Sequence, residues 1–189
     1  MGLLRYLNTV WRNRTGRVPR PAWCTYLVTY RCNARCQMCD SWQMAPGDEL
    51  TPAQVRDVFR KLGPLDVVRL SGGEPFLRPD LAETAEAVLA ESRPRVLHIT
   101  TNGSFGKRVE ALVRNCSQPR RLRFMVSFDG LAAEHDANRG PGVPFRRAVE
   151  TVRTLAELRR SHGVEVSANH TVISPQSLAD NAGLKRELG

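Results

Sequence analysis

Apolar residues recur along this chain in two rhythms. Leu3, Leu7, Val10 and Trp11 fall at helical spacing and predict an amphipathic helix within residues 1–22, ended by Pro19 and Pro21. Trp23–Thr29 is rich in β-forming residues and predicts a strand. From there short strands and helices alternate. Thr51, Pro52, Ala53 and Gln54 read as a capped helix start, and Val55, Val58, Phe59 and Leu62 mark its apolar face. Further strands are expected at 66–70, 96–100, 122–128 and 164–173, and further helices at 80–91, 109–116, 145–160 and 176–187. Five βα units in a row predict an α/β fold, either a parallel sheet or an open barrel. Functional groups then collect at the carboxyl ends of the strands.

Length agrees with one domain. The 189 residues suffice for a sizeable core but fall short of the roughly 250 of a complete eight-stranded α/β barrel. The net charge of +9 points first to nucleic acid or an anionic surface. Of the 28 basic residues, however, 25 are Arg, a skew that reads as base composition rather than selection for charge, so nucleic acid is not the favoured partner. Residues 1–22 hold five arginines and no acid, and their helix is expected to pack on the flank of a core spanning 23–189, with a membrane surface as the lesser reading. No run of about 18 apolar residues predicts an integral membrane segment, and Met1 to Arg5 never build a signal-peptide core, so the expected location is cytoplasmic.

Five cysteines in a reducing compartment are not a disulfide framework, and their spacing carries more than their number. Cys32, Cys36 and Cys39 form a C-x3-C-x2-C run directly after the first predicted strand. A closed zinc site wants four ligands, and no His lies between residues 24 and 97. Three thiolates on a 4Fe-4S cluster would leave one iron open for a substrate or cofactor. Three other readings compete: unrelated core thiols, a zinc site completed by Cys24 or a distant His, and an electron-transfer cluster, which normally wants a fourth cysteine. Cys24 within a strand and Cys116 on an apolar helix face read as small core residues.

The triplet resembles the C-x3-C-x-Φ-C signature of the radical SAM superfamily, with Met38 where an aromatic residue is usual. Met38 would wall the adenine, and Trp42 shares that apolar role. Ser71, Gly72, Gly73, Glu74 and Pro75 follow the second strand and resemble the family's GGEP segment, whose backbone receives the amino group of the methionine part of S-adenosylmethionine (SAM). Two glycines allow positive φ and a close approach to a ligand. Thr101, Asn102 and Gly103 end the third strand, where a plain Asn-Gly turn is the competing reading. Ser127 and Asp129 end the fourth, and strand parity aims both into one cavity. There the resemblance implies contacts to the SAM carboxylate or ribose, against a helix or turn cap. His135 to Gly140 is similar to an HD-x-x-R-G stretch of peptide-modifying and cofactor-building members, in which Arg139 would grip the SAM carboxylate, or else stand in a solvated loop. His135 reads as structural. Glu165, Ser167, Asn169 and Thr171 share a polar face of the fifth strand, where Asn169 would meet the ribose.

The resemblance implies a partial (βα)6 barrel binding a 4Fe-4S cluster and SAM. It implies reductive cleavage of SAM to a 5′-deoxyadenosyl radical that abstracts hydrogen from an unidentified substrate, a peptide or a small molecule. A flavodoxin- or ferredoxin-like reductant is the implied partner. Only five strands are predicted, so the core reads as truncated, lacking its sixth strand and the downstream cysteine-rich (SPASM-type) domain of many relatives. The alternative is a non-catalytic Fe-S or zinc-binding fragment that needs a partner chain.

Overall fold

Five strands, β1 (Trp23–Thr29), β2 (Val67–Gly72), β3 (Val96–Thr101), β4 (Leu122–Phe128) and β5 (Glu165–His170), lie side by side in sequence order. Every neighbouring pair is parallel. The computed structural model describes residues 3–16 and 21–189. Helices α1 (Leu3–Arg14), α2 (Pro52–Leu62), α3 (Leu81–Ser92), α4 (Gly106–Asn115), α5 (Ala132–Arg139), α6 (Phe145–His162), α7 (Pro175–Ala179) and α8 (Asn181–Leu188) connect or flank them. A parallel sheet in strictly sequential order is the wall of an open (βα) barrel.

Strand parity sorts the two faces. Val68, Leu70, Leu97, Ile99, Leu122, Phe124, Val126 and Phe128 are fully buried and form the core with the apolar stripes of the helices. Each such side chain contributes about 1.5–3 kcal/mol by leaving water. The alternate residues, among them Arg69, Ser71, His98, Thr100, Arg123, Met125 and Ser127, look to the other side and stay half-buried. That second face is the inner wall of the partial barrel.

Local chemistry sets the helix ends. Thr51 and Gln54 close a reciprocal capping box on α2, whose first position is Pro52. The last predicted helix is two: α7 and α8 meet at Asp180, whose carboxylate turns back to accept from the Leu131 N–H at 2.8 Å. Helix α5 is an addition to the elements that periodicity predicts. It is only eight residues long with no side-chain cap, and tertiary packing sustains it: buried His135 sits against Phe128 and Phe145, with ring centroids 5.7 and 5.6 Å away. Helix α1 forms where the spacing predicts it. Leu3, Leu4, Leu7 and Trp11 are exposed on it. The expected stop at Pro19 lies outside the described residues. Among them, no helix is long and apolar enough to cross a membrane.

Candidate functional site

The carboxyl ends of β1 to β4 surround one cavity of about 180 Å³. Cys32, Cys36, Met38 and Cys39 line it from one side, and Ser71, Gly72, Gly73, Thr101, Asn102 and Ser127 from the others, with Arg139 at its margin. Larger grooves of about 500 and 350 Å³ lie over the helices, and no cysteine lines either.

The glycine pair owes its identity to the chain's own backbone. Gly72 has φ +144°, and a Cβ there would meet the Thr29 carbonyl oxygen at 2.2 Å. A Cβ on Gly73 would meet the Arg31 carbonyl oxygen at the same distance. The Gly73 N–H donates to Thr29 O and the Glu74 N–H to Arg31 O, both at 2.8 Å. The close approach expected toward a ligand is thus first an approach to the end of β1.

Glu74 lines no part of the cavity. Its carboxylate is fully buried and accepts from the Phe76 N–H at 3.0 Å, the Thr101 hydroxyl at 2.8 Å and the Asn102 N–H at 2.7 Å. It staples the end of β2 to the end of β3. Burial pushes its pKa up to about 7 despite those three donors. Extended backbone at Glu74, as expected before Pro75, places the side chain for this.

Asp129 differs from expectation in the same way. It is fully buried just past β4 and receives the Arg139 Nε at 2.7 Å and Nη2 at 2.6 Å, with the Asn138 amide on one oxygen. Arg139 is therefore neither a solvated loop residue nor a free fork. It closes α5 with two of its nitrogens held by Asp129. Asn169 stands opposite Ser127 in the β4–β5 register, outside the cavity lining.

The cysteine loop is docked on this network through its backbone. The Arg35 N–H donates to the Arg139 carbonyl at 3.0 Å, and the Gln37 N–H donates to Asn138, at 3.2 Å to both its carbonyl and its side-chain oxygen. Asn33 donates to the Gly142 carbonyl at 2.8 Å and accepts from the Asn102 amide at 2.8 Å. A Cβ on Gly142 would meet the Asn33 carbonyl oxygen at 2.2 Å. Sequence reasoning missed Asn33, Asn138 and Gly142 as positioning residues. The only signal was their place inside the cysteine loop and beside the HD-x-x-R-G stretch. It also passed over Ser71 and Thr100 as cavity-lining polar groups.

All five cysteines are free thiols. Burial raises the Cys32 thiol and pushes Cys36 up to about 11, so the free chain holds both protonated until a cation displaces the proton. Cys24 and Cys116 pack against the hydrophobic core, away from the triplet. Among the described residues, no three His, Cys, Asp or Glu side chains stand close enough to share one metal ion. The three thiols instead share the lining of one cavity, where thiolates can bind separate irons of a cluster, and polar walls beside them suit a polar ligand.

The model of the radical SAM superfamily matches residues 26–186. A pre-heme d1 synthase of Dinoroseobacter shibae is 30% identical over 184 residues, covering 90% of this chain and 42% of its own. A GTP 3′,8-cyclase of Aquifex aeolicus is 40% identical over 181 residues, covering 86% and 52%. The crystal structure of Streptococcus suis SuiB bound to S-adenosylmethionine aligns with TM-score 0.75 at 16% identity, over 96% of this chain and 41% of that one. The chain spans about half the length of the curated relatives it matches. Signature, fold and family model agree: the chain belongs to the radical SAM superfamily, whose members use a 4Fe-4S cluster and S-adenosylmethionine.

Proposed function

We propose that this chain is the cofactor-binding core of a radical SAM enzyme, in which Cys32, Cys36 and Cys39 hold a 4Fe-4S cluster with one iron left for SAM. One observation carries the reading: the three thiols open onto the same cavity as the glycine pair, Thr101, Asn102 and Ser127. When bound, cluster and SAM supply a 5′-deoxyadenosyl radical that takes a hydrogen atom from the substrate. The chain's own tasks are placement and exclusion of water. Met38 walls the adenine side. Backbone of Gly72 and Gly73 meets the methionine amino group, while Thr101, Asn102 and Ser127 offer polar contacts to carboxylate and ribose, with Asn169 further along the ribose side. Glu74, Asp129 and Arg139 act by holding those loops. The reductant is a flavodoxin- or ferredoxin-like protein, and the reducing cytoplasm suits five free thiols.

Anaerobic reconstitution tests this. The expected product is a brown protein with about four irons per chain that releases 5′-deoxyadenosine from SAM under reductant. Tightly held zinc, or iron-free colourless protein, would overturn it. A second reading has its own support in β5, which among the described residues pairs only with β4 and leaves an exposed edge. In that case the core loads iron but cleaves SAM only when another chain covers that edge.

A further inference from the structure

The inner face of the sheet carries polar groups that the cofactor reading does not use. The ladder register aligns Thr25, Arg69, His98, Arg123 and Glu165 across β1 to β5, one residue from each strand. Arg123 is already engaged: its Nε lies 2.7 Å from the Glu165 carboxylate, and its Nη1 donates to the Arg120 and Leu122 carbonyls. Arg69 is not. Its guanidinium lies over the Trp23 ring, 5.4 Å from the centroid, and its buried Nε has no hydrogen-bond partner. Beside it, the buried Nδ1 of His98 also lacks a partner, and so does the Thr100 hydroxyl two residues further along β3. Burial, and then the charges of Arg69 and Arg123, hold the His98 pKa below the ordinary value.

Buried polar atoms in native proteins are nearly always bonded. Here three unbonded ones stand on two adjacent strands, on one face, and the uppermost, Thr100, lines the cysteine cavity. The row's only carboxylate is held by Arg123. What is missing is an acceptor with negative charge. Arg69 lies four residues before Gly73 on β2, about 13 Å down the strand at roughly 3.3 Å per residue. A guanidinium Nε–H with its neighbouring Nη–H presents a fork that matches two oxygens of one oxyanion, and His98 adds a donor in its Nδ1–H tautomer.

We propose that Arg69 and His98 form an oxyanion anchor for the substrate, taking a carboxylate or phosphate group on the inner wall of the barrel below the cysteine cavity. The inference rests on the proposed function for its geometry, since the reacting carbon must then lie above, past Thr100. It names the substrate class as an anionic molecule long enough to reach from the anchor to the cavity.

The test uses the cluster-free 189-residue chain. Succinate and inorganic phosphate are titrated at constant ionic strength, with chloride as comparison, by calorimetry and by tryptophan fluorescence, because Trp23 stacks on Arg69. One oxyanion is expected to saturate a single site and raise the thermal midpoint, and which one does so separates a carboxylate from a phosphate substrate. Arg69→Met and His98→Phe weaken that binding about tenfold or more. Arg160→Gln, an exposed arginine of α6, changes neither reading. Binding no stronger than chloride, or equal weakening by Arg160→Gln, would each overturn the anchor. None of these readouts needs iron or SAM. A chain that takes up oxyanion but no cluster keeps the anchor and loses the proposed function, and the reverse result loses only the anchor.

Discussion

Replacing Asp129 by Asn should damage both the fold and the loading of iron. The carboxylate is fully buried and is the partner of the Arg139 guanidinium, itself almost wholly buried, through two bonds of 2.7 and 2.6 Å. Asp129→Asn keeps the shape but leaves the guanidinium charge uncompensated inside the protein. Breaking one partner of such a pair costs about 3–5 kcal/mol. In a domain of this size 1 kcal/mol moves the midpoint by roughly 2–4 °C, so the expected drop is about 6–20 °C. Arg139 and Asn138 also accept the Arg35 and Gln37 amides, so the cysteine loop loosens with them. The double variant Asp129→Leu with Arg139→Met removes both charges and should recover much of the stability. It should not recover the loop, because the end of α5 then loses the forked bonds that fix it. Thermal unfolding by circular dichroism and iron per chain after anaerobic reconstitution check the two halves. A melt of Asp129→Asn within about 2 °C of wild type, or a double variant no more stable than the single one, would refute the reasoning.

Glu74 and His135 make opposite demands on pH. Glu74 has its folded pKa raised to about 7, so the native state binds the extra proton, and stability falls as pH rises from about 4.5 to 7, by up to about 3 kcal/mol. His135 is lowered to about 4 by burial and then Arg139, so its contribution is present above the unfolded value near 6.5 and is lost as pH falls toward 4. The wild-type profile should be nearly flat across the overlap, and Glu74→Gln should expose a stability that climbs with pH, read from denaturant midpoints between about pH 4.5 and 7. Cys36→Ala should abolish iron uptake, while Cys24→Ala, which alters only a core-packed thiol, should leave it intact by colorimetric iron assay. Gly73→Ala forces a methyl group into the Arg31 carbonyl oxygen, and should cost about 1–3 kcal/mol or more in chemical denaturation and lower iron uptake with it.

Much of this fold was written in periodicity. All five strands and the cap at Thr51 stand where alternation and capping chemistry put them, and the alternation is sharpest in β3 and β4, which bury one face against helices. Helix α5 was not legible, since a short segment with no cap leaves little trace unless Phe128 and Phe145 are known to close over His135. The break at Asp180 escaped for a similar reason: a distant amide, on Leu131, holds that carboxylate. In the site, the residues that face the cavity were readable from their motifs. The roles of Glu74, Asp129 and Arg139 were not. A motif names the residue but not whether its charge looks outward or is consumed by a neighbour, and here burial decided for the neighbour in all three.

The backbone contacts of the cysteine loop have a consequence for assembly order. Its partners on α5 lie about a hundred residues downstream, at Asn138 and Arg139, and Asn33 reaches as far as Gly142. Such long-range contacts form late, because a large segment must be closed before any of them is rewarded. On the ribosome, the three sulfurs emerge early but gain their scaffold only after β4 and α5 have been synthesised and docked. Iron delivery should therefore be most productive after about three-quarters of this sequence has folded, and nascent chains arrested before Arg139 should acquire little of it.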